Sequence, residues 1–168
     1  MELRDKVVVV TGGASGIGMG LCRRFHEEQV RGLVIADLNG EAASAIATEL
    51  NATSVELDVR DESAIAAMVA ETESKFGQID LFCSNAGVLD LDGDDYWVSS
   101  SANEVWQRNW DIHVMAHIYA ARACLPSMVE RGEGYFLHTV SAAGLLSQPY
   151  TAAYATTKRR RQCKAGLK

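Results

Sequence analysis

Val7-Val8-Val9-Val10-Thr11-Gly12-Gly13-Ala14-Ser15-Gly16-Ile17-Gly18 is the stretch that decides how this chain is read. Four valines in a row are the pattern of a strand buried on both faces of a parallel sheet. The run stops at Thr11-Gly12. Glycines 12, 16 and 18 follow, and then a helical pattern begins. A strand, a tight glycine turn and a helix start together form a site for a diphosphate. Glycine lets the backbone approach the anion closely, and the helix start offers unpaired N–H groups and a positive dipole end. The stretch lacks the Gly-Lys-Ser/Thr of a phosphate-loop NTPase. Flavin, S-adenosylmethionine and purely structural turns share its general shape.

Working outward, apolar runs alternate with helical patterns. Strands are expected at 7–10, 33–36, 54–57, 79–83 and 135–139. Helices are expected at 15–29, 40–50, from a cap at Asp61 to about Phe76-Gly77, at 103–130, and from near Thr151. On the first helix Ile17, Leu21 and Phe25 share one face. Pro126 is expected to kink or shorten the long helix. Such a β-α-β series predicts an α/β fold, a doubly wound parallel sheet of about five strands. Its ligand crevice lies at the C-terminal ends of the strands. Asp37, Asp58-Val59, Asn85-Ala86-Gly87 and Ser141 all fall at such ends.

The 168 residues suit one domain. The composition, 48% hydrophobic and 23% charged, is that of a globular protein, and a net charge of −6 argues against a nucleic-acid partner. No apolar run approaches membrane-spanning length, and residues 1–6 do not have the shape of a signal peptide. Cys22, Cys83, Cys124 and Cys163 form no CxxC pair, so buried free thiols and a reducing, cytoplasmic setting are expected. Six of the sixteen basic residues lie in the last eleven positions.

Asp37 lies nineteen residues past Gly18, where an acid can hydrogen-bond a ribose 2′-hydroxyl. Its charge would repel a 2′-phosphate, which favours NAD over NADP. The competing reading is a solvated turn aspartate. Asp58-Val59 could offer a carboxylate and an apolar flank to an adenine. Tyr154 and Lys158 stand four apart on one helix face. A free phenol ionises too high for a neutral-pH proton shuttle. A cation about 4 Å away, at an effective dielectric of about 20, would favour the phenolate by at most roughly 4 kcal/mol. Ser141 could supply a hydrogen bond to a substrate oxygen.

With these residues in place, the sequence resembles the classical short-chain dehydrogenase/reductase family. The carriers are TGGASGIG at 11–18, Asp37, Asp58-Val59, NAG at 85–87, Ser141 and YATTK at 154–158. The resemblance implies a Rossmann-type NAD(P)-binding domain over residues 1–158. It also implies reversible hydride transfer between the nicotinamide cofactor and a secondary alcohol or ketone. Tyr154 would be the acid/base. Lys158 would hold the nicotinamide ribose and favour the phenolate, and Ser141 would orient the substrate oxygen. Cofactor contacts would come from Gly12, Ser15, Gly16, Ile17, Gly18, Asp37, Leu38, Asp58, Val59, Asn85, Ala86, Gly87, Tyr154 and Lys158. No metal is expected. Homo-oligomers are usual in the family.

Two departures stand out. Seven residues after Trp106 the family pattern has an Asn, and here His113 occupies that place. His113 is either a substitute proton relay among the catalytic residues or a satisfied histidine between helices. Ser84 replaces a frequent first Asn. After Lys158 the chain reads as an atypical basic tail, 159–168, and resembles a C-terminally truncated member lacking the last two strands. That would leave positions 135–139 as an exposed edge, with the adenosine half of the site, 11–87, complete. The expected function is therefore an NAD-dependent dehydrogenase. The alternative is a catalytically impaired form that binds a nucleotide or a partner. A Rossmann-like methyltransferase would explain the glycine turn and Asp37 but not Ser141 with Tyr154 and Lys158. Substrate determinants are expected in 89–102 and 145–150, where Asp90, Asp92, Asp94 and Asp95 disfavour anionic substrates.

Overall fold

The computed structural model describes residues 1–93 and 97–159. Asp94, Asp95, Cys163 and the basic tail beyond Arg159 lie outside the described residues. The chain divides into two compact units: residues 1–86 with 116–139, and residues 87–115 with the chain from 140 onward.

The first unit is built on a five-stranded sheet. The strands are β1 (Val7–Thr11), β2 (Gly32–Asp37), β3 (Thr53–Glu56), β4 (Leu81–Ser84) and β5 (Tyr135–His138). Their order is β3-β2-β1-β4-β5, and every pairing is parallel. This is the α/β sheet expected from the sequence. β1 is central and all five of its residues are buried, which is why it reads as an unbroken valine run. On one face Val8, Val10, Leu33 and Ile35 pack with Cys22 and Phe25 of α1 (Gly16–Glu27) and Ala43 and Ala47 of α2 (Gly40–Glu49). β5 is an edge strand on which Tyr135 and Leu137 are exposed.

The stripe on α1 differs from the expected one. Gly18, Cys22 and Phe25 are buried, while Ile17 is 65% exposed. The first helical turn stands at the glycine loop, so the packing face begins at Gly18. α3 (Glu62–Phe76) starts as expected: the Asp61 carboxylate accepts the N–H groups of Ser63 and Ala64. It closes at Gly77, whose φ is 82°.

Residues 103–130 are helical in three pieces. These are α4 (Asn103–Trp110), a π-helical turn (Asp111–Met115) and α5 (Ala116–Glu130). Pro126 does not shorten the helix. Pro126 lies inside α5, which absorbs the one missing N–H bond and continues to Glu130. The irregularity sits at the π turn.

The second unit contains residues 87–93, α4, the π turn, a 3₁₀ turn (Ala142–Gly144) and α6 (Ala152–Arg159). Among the described residues no helix is long and apolar enough to cross a membrane.

Candidate active site

In the first unit the glycine turn joins β1 to α1. A Cβ on Gly18 would lie 2.0 Å from the Gly12 carbonyl oxygen and 2.6 Å from Asn85 Nδ2. A Cβ on Gly12 would lie 2.8 Å from Ala86 Cα, and Gly12 has φ +65°. These two glycines allow backbone to press on backbone. Gly16 differs: its φ is +50°, and a Cβ there would meet open space. Ser15, the residue before α1, makes no side-chain cap bond, and the first turn of α1 carries no acidic residue. A bare backbone corner at an uncapped, acid-free helix start fits the diphosphate of a dinucleotide.

Asp37 ends β2 and faces this turn. One carboxylate oxygen accepts the Ala14 N–H at 3.0 Å and the other accepts the Asn39 N–H at 3.0 Å. Asp37 is thus an anchor of the glycine turn as well as a fixed negative charge beside it. Ile17 and Leu38 flank the turn and are exposed. Asn85 works as a stitch. Its Nδ2 donates to the carbonyls of Thr11 and Gly12 at 3.0 and 3.2 Å, and its Oδ1 accepts the Thr139 hydroxyl at 2.7 Å. The backbone N–H groups of Asn85 and Ala86 both donate to Thr11 Oγ1. Asp58 is gripped by Arg60 with N···O distances of 2.6–3.0 Å, which holds its carboxyl below the usual carboxylate range. The carboxylate expected to face an adenine is therefore already paired. Val59 is buried. A cleft of about 580 Å³ opens at the opposite, N-terminal end of β2, lined by Arg31, Leu33, Leu50 and Phe76. It holds none of the residues singled out by the sequence.

The second unit gathers Gly87, His113, Tyr154, Thr157 and Lys158. A Cβ on Gly87 would lie 3.4 Å from both His113 Nε2 and Lys158 Nζ. Lys158 Nζ is 5.6 Å from the centre of the Tyr154 ring, and the His113 ring meets that ring edge-on at 5.4 Å. Lys158 and His113 are buried. Tyr154 and Lys158 come from consecutive turns of α6, and His113 comes from the π turn. Ser141 precedes the 3₁₀ turn, and its Oγ accepts the Ala143 N–H at 3.2 Å.

Several contributors escaped the sequence reading. Thr157 Oγ1 lies 2.9 Å from His113 Nδ1, and Val88 N–H donates to His113 Nε2 at 3.1 Å. Gly144 lets the 3₁₀ turn touch α6, since a Cβ there would lie 2.8 Å from the Lys158 carbonyl carbon and oxygen. Its place three residues after Ser141 was the available signal. In the described part of the acidic run both carboxylates are paired. Asp90 binds Arg108 and the Asn109 amide, and Asp92 is buried with its carboxylate turned onto Ser101 and Ala152.

Comparison with known proteins bears on the family and the fold. A family model described as short chain dehydrogenase matches residues 6–160. The chain is 35% identical over 164 residues to 1-deoxy-11-beta-hydroxypentalenate dehydrogenase of Streptomyces exfoliatus, covering 94% of this chain and 58% of that protein. It is 33% identical over 162 residues to 3beta-hydroxysteroid dehydrogenase 2 of Eggerthella lenta, covering 93% and 61%. A crystal structure of a short chain dehydrogenase/reductase from Burkholderia phymatum in complex with NAD superposes with a TM-score of 0.87 at 28% identity, covering 95% of this chain and 57% of that one. The chain thus spans about three fifths of the length of these curated relatives.

Proposed function

The chain belongs to the short chain dehydrogenase family of oxidoreductases, and on that footing we propose that it is an NAD-dependent dehydrogenase acting on a secondary alcohol or ketone. The backbone of Gly12, Ser15, Gly16, Ile17 and Gly18 would hold the cofactor diphosphate. Asp37 would hold the adenosine ribose, with Leu38 next to it in sequence, and Val59, Ala86 and Gly87 would add further cofactor contacts. The negative charge of Asp37 favours a free ribose hydroxyl over a 2′-phosphate, hence NAD over NADP. The related Burkholderia phymatum structure holds NAD, which agrees with that choice.

When bound, the nicotinamide accepts or delivers hydride at the carbinol carbon. The work of this chain's residues is at the oxygen. Tyr154 takes the alcohol proton during oxidation and returns it during reduction. The Lys158 ammonium, 5.6 Å from the centre of the Tyr154 ring, would hold the nicotinamide ribose beside the phenol. Ser141 offers its hydroxyl to the same substrate oxygen. The observation that carries the reading is the convergence of Lys158 and His113 on Tyr154: Lys158 Nζ lies 5.6 Å from the Tyr154 ring centre and the His113 ring meets that ring edge-on at 5.4 Å. The substrate is a small molecule, and the setting we propose is cytoplasmic, consistent with the buried free thiols Cys22, Cys83 and Cys124.

The test is cofactor-linked oxidation of a panel of secondary alcohols. Tyr154→Phe should lower kcat by about 10²-fold or more while NAD affinity stays near that of the parent chain. Equal turnover by the variant would remove Tyr154 from the chemistry. A second reading, nucleotide binding without turnover, is favoured by one observation: both His113 ring nitrogens are engaged by Val88 and Thr157. Tight NAD binding with no alcohol oxidised would select it.

A further inference from the structure

The segment after Gly87 is anchored at every second residue. Val88 donates its N–H to His113 of the π turn, Asp90 receives the Asn109 amide of α4 at 2.7 Å, and Asp92 reaches α6. Leu89 and Leu91, between these anchors, are exposed. The third anchor is the most elaborate. Asp92 Oδ1 accepts the Ala152 N–H at 2.9 Å and the Ser101 hydroxyl at 3.1 Å. Its own N–H donates to the Tyr150 carbonyl at 2.8 Å. Ala152 is the first residue of α6, and Tyr150 has a left-handed φ of 68°. Asp92 therefore grips both sides of the bend that launches α6.

The local candidate for that task is Thr151, the residue immediately before the helix. Its hydroxyl is buried and makes no hydrogen bond among the described residues. The cap comes instead from sixty residues earlier in the chain. A carboxylate is well suited to it. It only accepts hydrogen bonds, its bond to a backbone N–H is charge-assisted, and its charge complements the positive helix end.

We propose that Asp92 is a positioning residue for Tyr154. Tyr154 lies in the first turn of α6, two residues after the N–H that Asp92 holds. Lys158 lies a turn further on, next to Thr157, which is tied separately to His113. Release of the Asp92 contact frees the turn bearing the phenol while the turn bearing the ammonium stays held. Misplacement of a reacting group by about 1 Å can cost about 10²-fold in rate. The inference rests on the reading of Tyr154 as the acid/base, and it adds a requirement: the loop carrying Leu89 and Leu91 and the start of α6 move together.

The experiment compares Asp92→Ala and Asp92→Asn in the full chain. Amide hydrogen exchange, followed on peptides covering residues 150–158, should accelerate about fivefold in Asp92→Ala, the usual effect of a lost helix cap. Asp92→Asn keeps an acceptor oxygen and should stay within about twofold of the parent. Unchanged exchange in Asp92→Ala overturns the proposal. The second arm uses NAD with cyclohexanol and with its carbinol-deuterated form. Asp92→Ala should lower kcat about tenfold or more and raise the deuterium isotope effect, with KM for NAD unchanged and with Asp92→Asn restoring most of the rate. A lower rate that Asp92→Asn fails to restore also overturns the proposal. A parent chain that turns over none of the panel of secondary alcohols, or a Tyr154→Phe variant as active as the parent, defeats the dehydrogenase reading. The exchange result then decides by itself whether Asp92 holds the helix start.

Discussion

The imidazole of His113 bridges the start of residues 87–93 to α6: Nε2 accepts the Val88 N–H at 3.1 Å and Nδ1 lies 2.9 Å from Thr157 Oγ1. The Thr157 hydroxyl has one proton, which goes to the carbonyl of Ala153 or Tyr154 at 2.9 or 3.0 Å. It must therefore accept from Nδ1–H, and Nε2 must carry the lone pair. This assigns the neutral Nδ1–H tautomer. His113 is a cross-brace in this arrangement. Replacing it by Ala leaves the Val88 N–H without its acceptor, deprives Thr157 of a donor and opens a void in a fully buried site. We expect a loss of about 2–4 kcal/mol, seen as a lower thermal midpoint. His113→Asn keeps one of the two bonds and should lose about half as much. A His113→Ala variant that melts with the parent chain would dismiss the brace.

Gly16 and Gly18, two residues apart, should respond very differently to alanine. At Gly18 the methyl meets the backbone carbonyl oxygen of Gly12 at 2.0 Å and the side-chain amide of Asn85 at 2.6 Å. Relief requires the turn itself to move, so Gly18→Ala should cost more than about 3 kcal/mol or prevent folding. At Gly16 the methyl meets open space, and only the φ of +50° is strained. That costs about 1–2 kcal/mol. Gly16→Ala should therefore fold and melt somewhat lower. Cofactor titration then supplies a second readout: a folded Gly16→Ala chain should bind NAD more weakly, because the methyl covers the bare backbone.

Burial pushes the thiols of Cys22, Cys83 and Cys124 up from the ordinary 9.0 to about 12. At pH 8 all three are protonated and enclosed, so a thiol reagent should leave them unlabelled in the native state and label them after denaturation. A Cys163→Ser background isolates these three. The linkage has a definite sign. Below pH 9 the folded and unfolded chains both keep these protons. Between 9 and 12 the unfolded chain releases protons that the folded chain retains, so stability falls as pH rises through that window. Melting followed from pH 8 to 11 should show the decline, and replacing the three cysteines by alanine should flatten it.

The sheet was legible because its signals are local. A strand buried on both faces is apolar at every position, as Val7 to Val10 are, and the glycines after it follow from one turn. Asp61 and Gly77 could be read as cap and stop for the same reason. The failures came where distant segments decide. Ile17 fits an apolar stripe, yet the helix packs from Gly18 onward. Pro126 is a strong local breaker, but one missing bond is tolerated inside a packed helix, and the break falls at Asp111–Met115, where no proline or glycine marks it. The pairing of Asp58 with Arg60, two residues on, is by contrast a local contact. Asp92 had no local signal at all, because its contact is with the beginning of a helix sixty residues later.

Asp37 joins two tasks that substitution can separate. Each of its oxygens already accepts one backbone N–H, from Ala14 and from Asn39, and each keeps a second lone-pair direction for a ribose hydroxyl. Asp37→Asn retains one acceptor oxygen but removes the charge. NAD affinity should then fall by about tenfold, the scale of a hydrogen bond to a charged group, while the repulsion against a 2′-phosphate disappears. NADP binding should therefore improve relative to NAD, moving the preference by about 10–100-fold. Asp37→Ala removes the anchor of Ala14 as well, so both cofactors should weaken and the thermal midpoint should drop. Calorimetric titration of the two variants with NAD and NADP reads all of these effects. An Asp37→Asn chain that keeps the parent's preference between the two cofactors would reduce Asp37 to the anchor of the turn.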